Sequence, residues 1–303
     1  MTHAFIFPGQ GSQSVGMLAD LNATYPIVQQ TFEQASDILH YDLWKLSQNG
    51  PKESLNQTEK TQPVLLAASV ALWRIWQDQG GSSKPSFMAG HSFGEYSALV
   101  CAGALAYEDA VSLAQDRGRF MQAAVPEGEG AMAAILGLKD EQVIEACKAQ
   151  AQVVSAVNFN APGQVVIAGN AAGVEAAIAA AKKLGAKKAI KLPVSVPSHS
   201  SLMKPAAEQM AERLKDVTIT VPKIAVIHNV DTSIKTQAPD IATALVQQLH
   251  NPVLWVATIE KMIAEGVTTL IECGAGKVLT GLNKRISRQT TAKTLEQALE
   301  TAA

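Results

Sequence analysis

The chain opens on four apolar residues, Ala4 to Phe7, which stop at the polar, glycine-rich run Pro8-Gly9-Gln10-Gly11-Ser12-Gln13. A short apolar run bounded by turn residues reads as a buried strand, and a longer one with a three-to-four-residue rhythm as a helix. By that rule Pro26 to Leu39 and Pro63 to Gln79 are helices. The second is apolar enough to be internal, through Val64, Leu65, Ala68, Ala71, Leu72 and Ile75. Ser86 to Ala89 is a strand, and Glu95 to Ala102 and Tyr107 to Ala124 are helices. The break Pro126-Glu127-Gly128-Glu129-Gly130 changes the rhythm. Beyond it come a strand (Ala131 to Leu138), a helix (Asp140 to Gln150), two strands (Val153 to Asn158, Gln164 to Ala168), a helix (Ala171 to Leu184) and a strand (Lys187 to Leu192). This β-α-β-β-α-β order is ferredoxin-like. Pro193 and Pro197 close the unit. Then follow a helix from Leu202 to Leu214 with Pro205 in its first turn, a strand from Ile224 to His228, and helices from Asp240 to Leu249 and Val256 to Ala264. A strand from Thr268 to Cys273 and a helix from Lys277 to Ile286 end the pattern. Alternating strands and helices imply a mostly parallel sheet covered on both faces.

Composition narrows the setting. Of 303 residues 47% are hydrophobic and 17% charged, so a large core is expected, and the net charge of −2 gives no general pull toward nucleic acid or an anionic membrane. Local basic groups are Lys182, Lys183, Lys187, Lys188 and Lys191, and later Lys277, Lys284, Arg285 and Arg288. The three cysteines, Cys101, Cys147 and Cys273, are far apart and form no C-x-x-C pair, so neither a disulfide framework nor a metal site is expected. With no signal-like N-terminus and no run long enough to span a bilayer, a cytoplasmic monomer is the expectation.

Candidate chemistry sits where the strand ending at Ala89 meets the helix starting at Glu95. Gly90-His91-Ser92-Phe93-Gly94 is a G-x-S-x-G string in a strand-to-helix context. There the serine is pushed out of the backbone at a helix N-terminus, whose free N–H groups suit a developing oxyanion. The glycines are required because a Cβ would strike the neighbouring strand or helix. The expected fold is therefore α/β, an α/β-hydrolase-like core over 1–125 and 198–303 with an inserted ferredoxin-like subdomain over 126–197. The bland reading, a serine in an ordinary glycine turn, loses ground to the flanking elements.

A serine nucleophile needs a base. Six histidines are present: His3, His40, His91, His199, His228 and His250. His91 adjoins the serine and must point away from it, which suits support of the loop. His199 lies at the joint where the chain re-enters the core, and His228 is the alternative. No acidic residue is singled out as the partner of the base, which leaves room for a Ser-His dyad oriented by a carbonyl.

Phe7-Pro8-Gly9-Gln10-Gly11-Ser12-Gln13, Gly90 to Tyr96, Gln115-Asp116-Arg117-Gly118, Asn158 to Gln164, Val196-Pro197-Ser198-His199 and Gly274-Ala275-Gly276-Lys277-Val278-Leu279 together resemble the bacterial malonyl-CoA:acyl carrier protein transacylases, from end to end. The resemblance implies transfer of a malonyl group from malonyl-CoA to the phosphopantetheine thiol of acyl carrier protein, in fatty acid synthesis, with no permanently bound cofactor. It implies Ser92 as nucleophile, His199 as base and the Gln248 carbonyl as its orienting group. Gln10 and Phe93 would supply oxyanion-hole N–H groups. Arg117 would hold the malonyl carboxylate, with Asn160, Met121 and His91 completing the substrate site. Position 93 is more often leucine in that family. The small-subdomain lysines are the expected landing place for an acidic carrier protein. A serine hydrolase or thioesterase, and a non-catalytic binding member of the family, are the competing readings.

Overall fold

The computed structural model describes residues 2–79, 84–194 and 196–300. Met1 and 301–303, the outermost positions of the expected core ranges, lie outside the described residues, as does position 195 of the small subdomain. Two sheets organise the chain. The larger contains β1 (His3–Phe7), β2 (Phe87–Gly90), β7 (Ala225–Ile227), β8 (Thr269–Glu272) and β9 (Thr291–Thr294) in the order β7-β2-β1-β8-β9. Every pairing in it is parallel. The smaller contains β3 (Gly130–Leu136), β4 (Val154–Ala161), β5 (Gln164–Asn170) and β6 (Lys188–Lys191) in the order β4-β5-β3-β6, antiparallel throughout. With helices Asp140–Lys148 and Ala171–Lys183 between its strands, that is the ferredoxin-like arrangement expected from the sequence.

Side-chain alternation along the central strands builds two cores. In β1, Phe5 and Phe7 point into a cluster with Met88, Val226 and Ile271 and the helices 27–39, 58–78, 94–101 and 107–123. Ala4 and Ile6 point the other way, among Ala89, Ile227, Leu270, Trp255 and Leu279. Both faces are covered, which is why a parallel strand reads as an unbroken apolar run. Each large β1 side chain buried here contributes about 1.5–3 kcal/mol. The small sheet has its own core, with Ile135, Val165 and Ile167 against Val143, Val174 and Ile178. It is tied to the rest by β4, where Phe159 N–H donates to Val253 O and Val253 N–H to Val157 O at 3.0 and 2.8 Å.

The sequence expectation leaves out the short helices Ala19–Thr24, Leu43–Asn49, Lys52–Leu55 and Leu295–Glu300, and two further elements depart from it. The helix expected from Pro63 starts at Thr58 and runs to Asp78, with Pro63 inside it. Its first turn is buried but polar (Thr58, Thr61, Gln62), so hydrophobic rhythm cannot reveal it. Strand β9, Thr-Ala-Lys-Thr, carries no apolar run at all. It exists because the edge of β8 offers a ladder to pair with.

Where β2 ends, the chain crosses directly over β1. A Cβ on Gly94 would lie 2.0 Å from the Phe7 carbonyl oxygen, and one on Gly90 would lie 1.8 Å from the Gly94 carbonyl carbon. Backbone, not a movable side chain, fills each space. Gly94→Ala is therefore expected to destabilise the protein by about 1–3 kcal/mol or more, read as a lowered midpoint in denaturant unfolding; a midpoint equal to the parent's would refute the contact.

Candidate active site

Ser92 sits on the turn between β2 and the helix Gly94–Cys101, with φ of 53°. That left-handed conformation is costly for a non-glycine residue, and here several contacts hold it. His91 N–H donates to Phe7 O at 2.9 Å. Ser92 N–H donates to Asn229 Oδ1 at 2.7 Å, and Asn229 Nδ2 donates to Gly90 O at 2.6 Å. One asparagine thus grips the turn on both sides.

His199 has the same unusual backbone, with φ of 65°. Its N–H donates to Leu249 O at 2.9 Å, which pins it to the end of the helix Ala238–Gln248. Its Nδ1 lies 2.7 Å from Gln248 O, and its Nε2 lies 2.7 Å from Ser92 Oγ. A carbonyl can only accept, so in the neutral ring the proton is on Nδ1 and Nε2 presents its lone pair to the serine hydroxyl. This is the arrangement a serine needs to lose its proton. Burial first, and then the Arg117 charge, push the His199 ring down to about 3. The ring is neutral at pH 7 and able to accept.

Arg117 projects from the helix Tyr107–Ala123 and is wholly buried. Nη1 donates to Gln62 Oε1 at 3.0 Å and Nη2 to Gln248 Oε1 at 2.9 Å, while Nε meets no acceptor among the described residues. No carboxylate forms an ion pair with it among the described residues. The guanidinium carbon lies 5.8 Å from the Phe93 ring centre and 5.4 Å from that of Tyr96, and those two rings stack on each other. Burial lowers its proton affinity from the usual arginine value. A buried cation held by two neutral amides, with a spare N–H, is a site that an anion would complete. Phe93 thus sets its ring beside the Arg117 guanidinium.

The remaining sequence candidates fall into place unequally. His91 Nε2 lies 2.7 Å from Asn160 Oδ1, and the His91 ring meets Trp255 edge-on at 5.5 Å. Burial lowers the His91 pKa. Met121 is buried one turn beyond Arg117, its sulfur 3.7 Å from Gln62 Nε2. The Gln10 side chain points away, toward Thr58 Oγ1 at 3.4 Å, but its loop passes over the serine, since a Cβ on Gly9 would lie 2.5 Å from His91 O. Neither the Gln10 nor the Phe93 backbone N–H meets an acceptor among the described residues. His228, the alternative base, faces Glu95 rather than the serine.

Sequence reading missed Glu95, Asn229, Gln62 and the side chain of Gln248. Each is polar and wholly buried. The available signals were a lone acid in the otherwise uncharged stretch Gly94 to Cys101, and a polar pair, His228-Asn229, at the carboxyl end of a strand.

The His199 shift has a sign. Unfolding raises its pKa from about 3 toward 6.5, so the unfolded chain binds the extra proton between those values. Stability is expected to fall as pH drops from about 6.5 toward 3, and the His199 ring carbons should show no NMR titration step near 6.5. A step there would contradict the buried, neutral ring.

The model of the acyl transferase domain matches residues 4–299. Malonyl CoA-acyl carrier protein transacylase of Escherichia coli K12 is 59% identical over 302 residues, covering 99% of this chain and 97% of the relative. An acyl carrier protein S-malonyltransferase from Vibrio cholerae is superimposed at a TM-score of 0.94 with 55% identity, covering 97% of this chain and 96% of the other. A malonyl-transacylase solved in complex with a type II PKS acyl-carrier protein gives a TM-score of 0.97 with 54% identity, over 99% and 100% of the two chains. With these likenesses spanning the whole length, the chain belongs to the acyl transferase domain family.

Proposed function

We propose that the protein moves a malonyl group from malonyl-CoA to the phosphopantetheine thiol of acyl carrier protein, through a malonyl ester on Ser92. One observation carries the specificity: a buried arginine with no ion-pair partner among the described residues stands one amide away from a Ser-His pair. Gln248 joins them, since its Oε1 accepts from Arg117 Nη2 while its Nε2 donates to Ser92 O at 2.9 Å.

In the first half-reaction His199 Nε2 takes the Ser92 hydroxyl proton and Oγ attacks the thioester carbonyl. The tetrahedral oxyanion is met by the backbone N–H groups of Gln10 and Phe93. The carbon–sulfur bond then breaks, and the CoA sulfur takes the proton back from His199. In the second half the carrier thiol gives its proton to His199, attacks the acyl-serine, and Ser92 is released as the hydroxyl. The Gln248 carbonyl holds the ring in the reacting tautomer and stabilises its transient charge, the task an acid performs in a triad. A carbonyl does this more weakly, which a reactive thioester tolerates.

Arg117 selects the dicarboxylic acyl group by two parallel hydrogen bonds. An acetyl group would leave the cation unpaired, at a cost of roughly 3–5 kcal/mol. Pairing Arg117 also removes one of the charges that depress His199, so the base strengthens when the right substrate is present. Asn160, His91 and Met121 line the same acyl site. The carrier protein approaches over the exposed lysines Lys182, Lys183, Lys187, Lys188 and Lys191, where its acidic surface is attracted. Residues 126–197 act as a small subdomain set into a core of 1–125 and 198–303; the two separate sheets and cores support that division. Three buried free cysteines suit a reducing cytoplasm.

Intact mass spectrometry after brief mixing with malonyl-CoA should show one malonyl adduct, mapped to Ser92. Release of free malonate at the transfer rate would mean a thioesterase instead. Ser92→Ala should lose transfer by about 10³-fold or more. Arg117→Ala should slow malonyl acylation by roughly 10²–10³-fold and acetyl acylation far less; equal losses would remove the carboxylate-clamp role. The acid limb of Ser92 acylation should lie at higher pH with malonyl-CoA than with acetyl-CoA, and coincident limbs would sever the link between Arg117 and the base.

A further inference from the structure

The first turn of the elbow helix holds a charged group to which the steps above give no part. Glu95 is wholly buried, three residues beyond the serine. His228 Nδ1–H donates to its Oε1 at 2.7 Å. Asn229 N–H and Gln248 Nε2 donate to its Oε2 at 2.9 and 3.0 Å. Three donors on two oxygens are the partner set of a carboxylate acting only as acceptor.

Glu95 touches none of the reacting groups, yet it stands one residue away from each. Asn229, held through its backbone N–H, uses its side chain to grip the turn at Ser92 N–H and Gly90 O. Gln248, held through its amide, presents its backbone carbonyl to His199 Nδ1 and its side-chain carbonyl to Arg117. The segments so gathered come from the end of β7 and the end of the helix Ala238–Gln248, far apart in sequence. A second consequence is electrostatic. The Gln248 amide lies between a buried anion and a buried cation, its NH2 toward Glu95 and its oxygen toward Arg117. The Glu95 charge helps keep Arg117 protonated against the effect of burial. It also offsets part of the field that an incoming carboxylate would feel.

We propose that Glu95 is a positioning residue with two effects: through Asn229 and Gln248 it aims the Ser92–His199 pair, and across the Gln248 amide it weakens the hold of Arg117 on the substrate carboxylate. The second effect rests on the malonyl-transfer reading; the first does not. Balanced this way, the site binds its acyl group firmly enough to select it and loosely enough to pass it on.

The test is Glu95→Gln, which keeps the shape and removes the charge. The NH2 it introduces displaces the acceptor of His228 Nδ1–H, so that ring must move its proton to Nε2, and the charge-assisted bonds to Asn229 and Gln248 become neutral ones. Folding is checked by thermal unfolding, and affinity for malonyl-CoA is measured in a Ser92→Ala background, where no acyl transfer occurs. The expected result is a split: the single-turnover acylation rate falls by roughly 10–10²-fold, while Kd for malonyl-CoA falls several-fold. A merely structural role would lower rate and binding capacity together and leave Kd unchanged, and that outcome overturns the proposal, as would a rate and a Kd both within twofold of the parent. Should Glu95→Gln fail to fold, Glu95→Asp keeps the charge but draws the carboxylate back from Asn229 and Gln248: the single-turnover rate should fall while Kd for malonyl-CoA stays within about twofold of the parent, an unaltered rate counting against the aiming effect and a Kd lowered several-fold against the charge effect. Reaction of Ser92 with a neutral sulfonyl fluoride separates the two readings. In Glu95→Gln it should slow by the same 10–10²-fold, whatever the parent enzyme does with malonyl-CoA, and an unaltered rate defeats the aiming effect. A parent protein that forms no malonyl-serine yet shows the slowed sulfonylation would refute the functional reading and leave the aiming effect standing.

Discussion

There is no room for a side chain where the β2–helix turn crosses β1, and the site depends on that closeness. The Phe7 carbonyl accepts from His91 N–H at 2.9 Å, while a Cβ on Gly94 would lie 2.0 Å from the same oxygen. Backbone packed on backbone fixes where the turn begins and the direction in which the helix leaves. Ser92 is then forced into its left-handed conformation with its hydroxyl outward. The same direction puts Glu95 underneath, in reach of the ends of β7 and the helix Ala238–Gln248. A slacker crossing would lose the aim of the serine and the anchor of its supports together.

Electrostatics in the site follow from dryness. His199, Arg117, Glu95, Gln248 and Gln62 are all buried, so each charge and dipole acts in a medium that screens little. The chain meets this with amides in place of a direct ion pair. Gln62 and Gln248 hold the guanidinium, and the Gln248 carbonyl holds the imidazole. Neutral partners leave the cation available to an anionic ligand, whereas a carboxylate salt bridge would compete with one. The stacked rings of Phe93 and Tyr96 lie beside the guanidinium.

The elements read from apolar rhythm are found in the structure within a few residues, because β1, β2 and β8 are covered on both faces and most helices bury one apolar stripe. Thr58 to Gln62 and Thr291 to Thr294 escaped that reading for one reason. What fixes them is a partner, not a pattern: the Gln10 and Arg117 side chains for the first, the β8 ladder for the second. Within the site, the turn glycines and Ser92 were legible because their chemistry is local, compressed into five positions. Asn229 reaches Ser92 across 137 positions and Gln248 reaches Glu95 across 153, and no spacing rule spans such distances.

What the amino-acid order determined alone was therefore the local stereochemistry. It set apolar runs that must be buried, a glycine-flanked serine that can only be a tight turn, and prolines that divide the chain. Tertiary structure decided which polar groups meet. It brought His199 to the serine, set an arginine held by two amides beside them, and placed a glutamate beneath all three. The reason is that burial follows composition, whereas a hydrogen bond between distant segments exists only after the sheet has closed and the helices have packed.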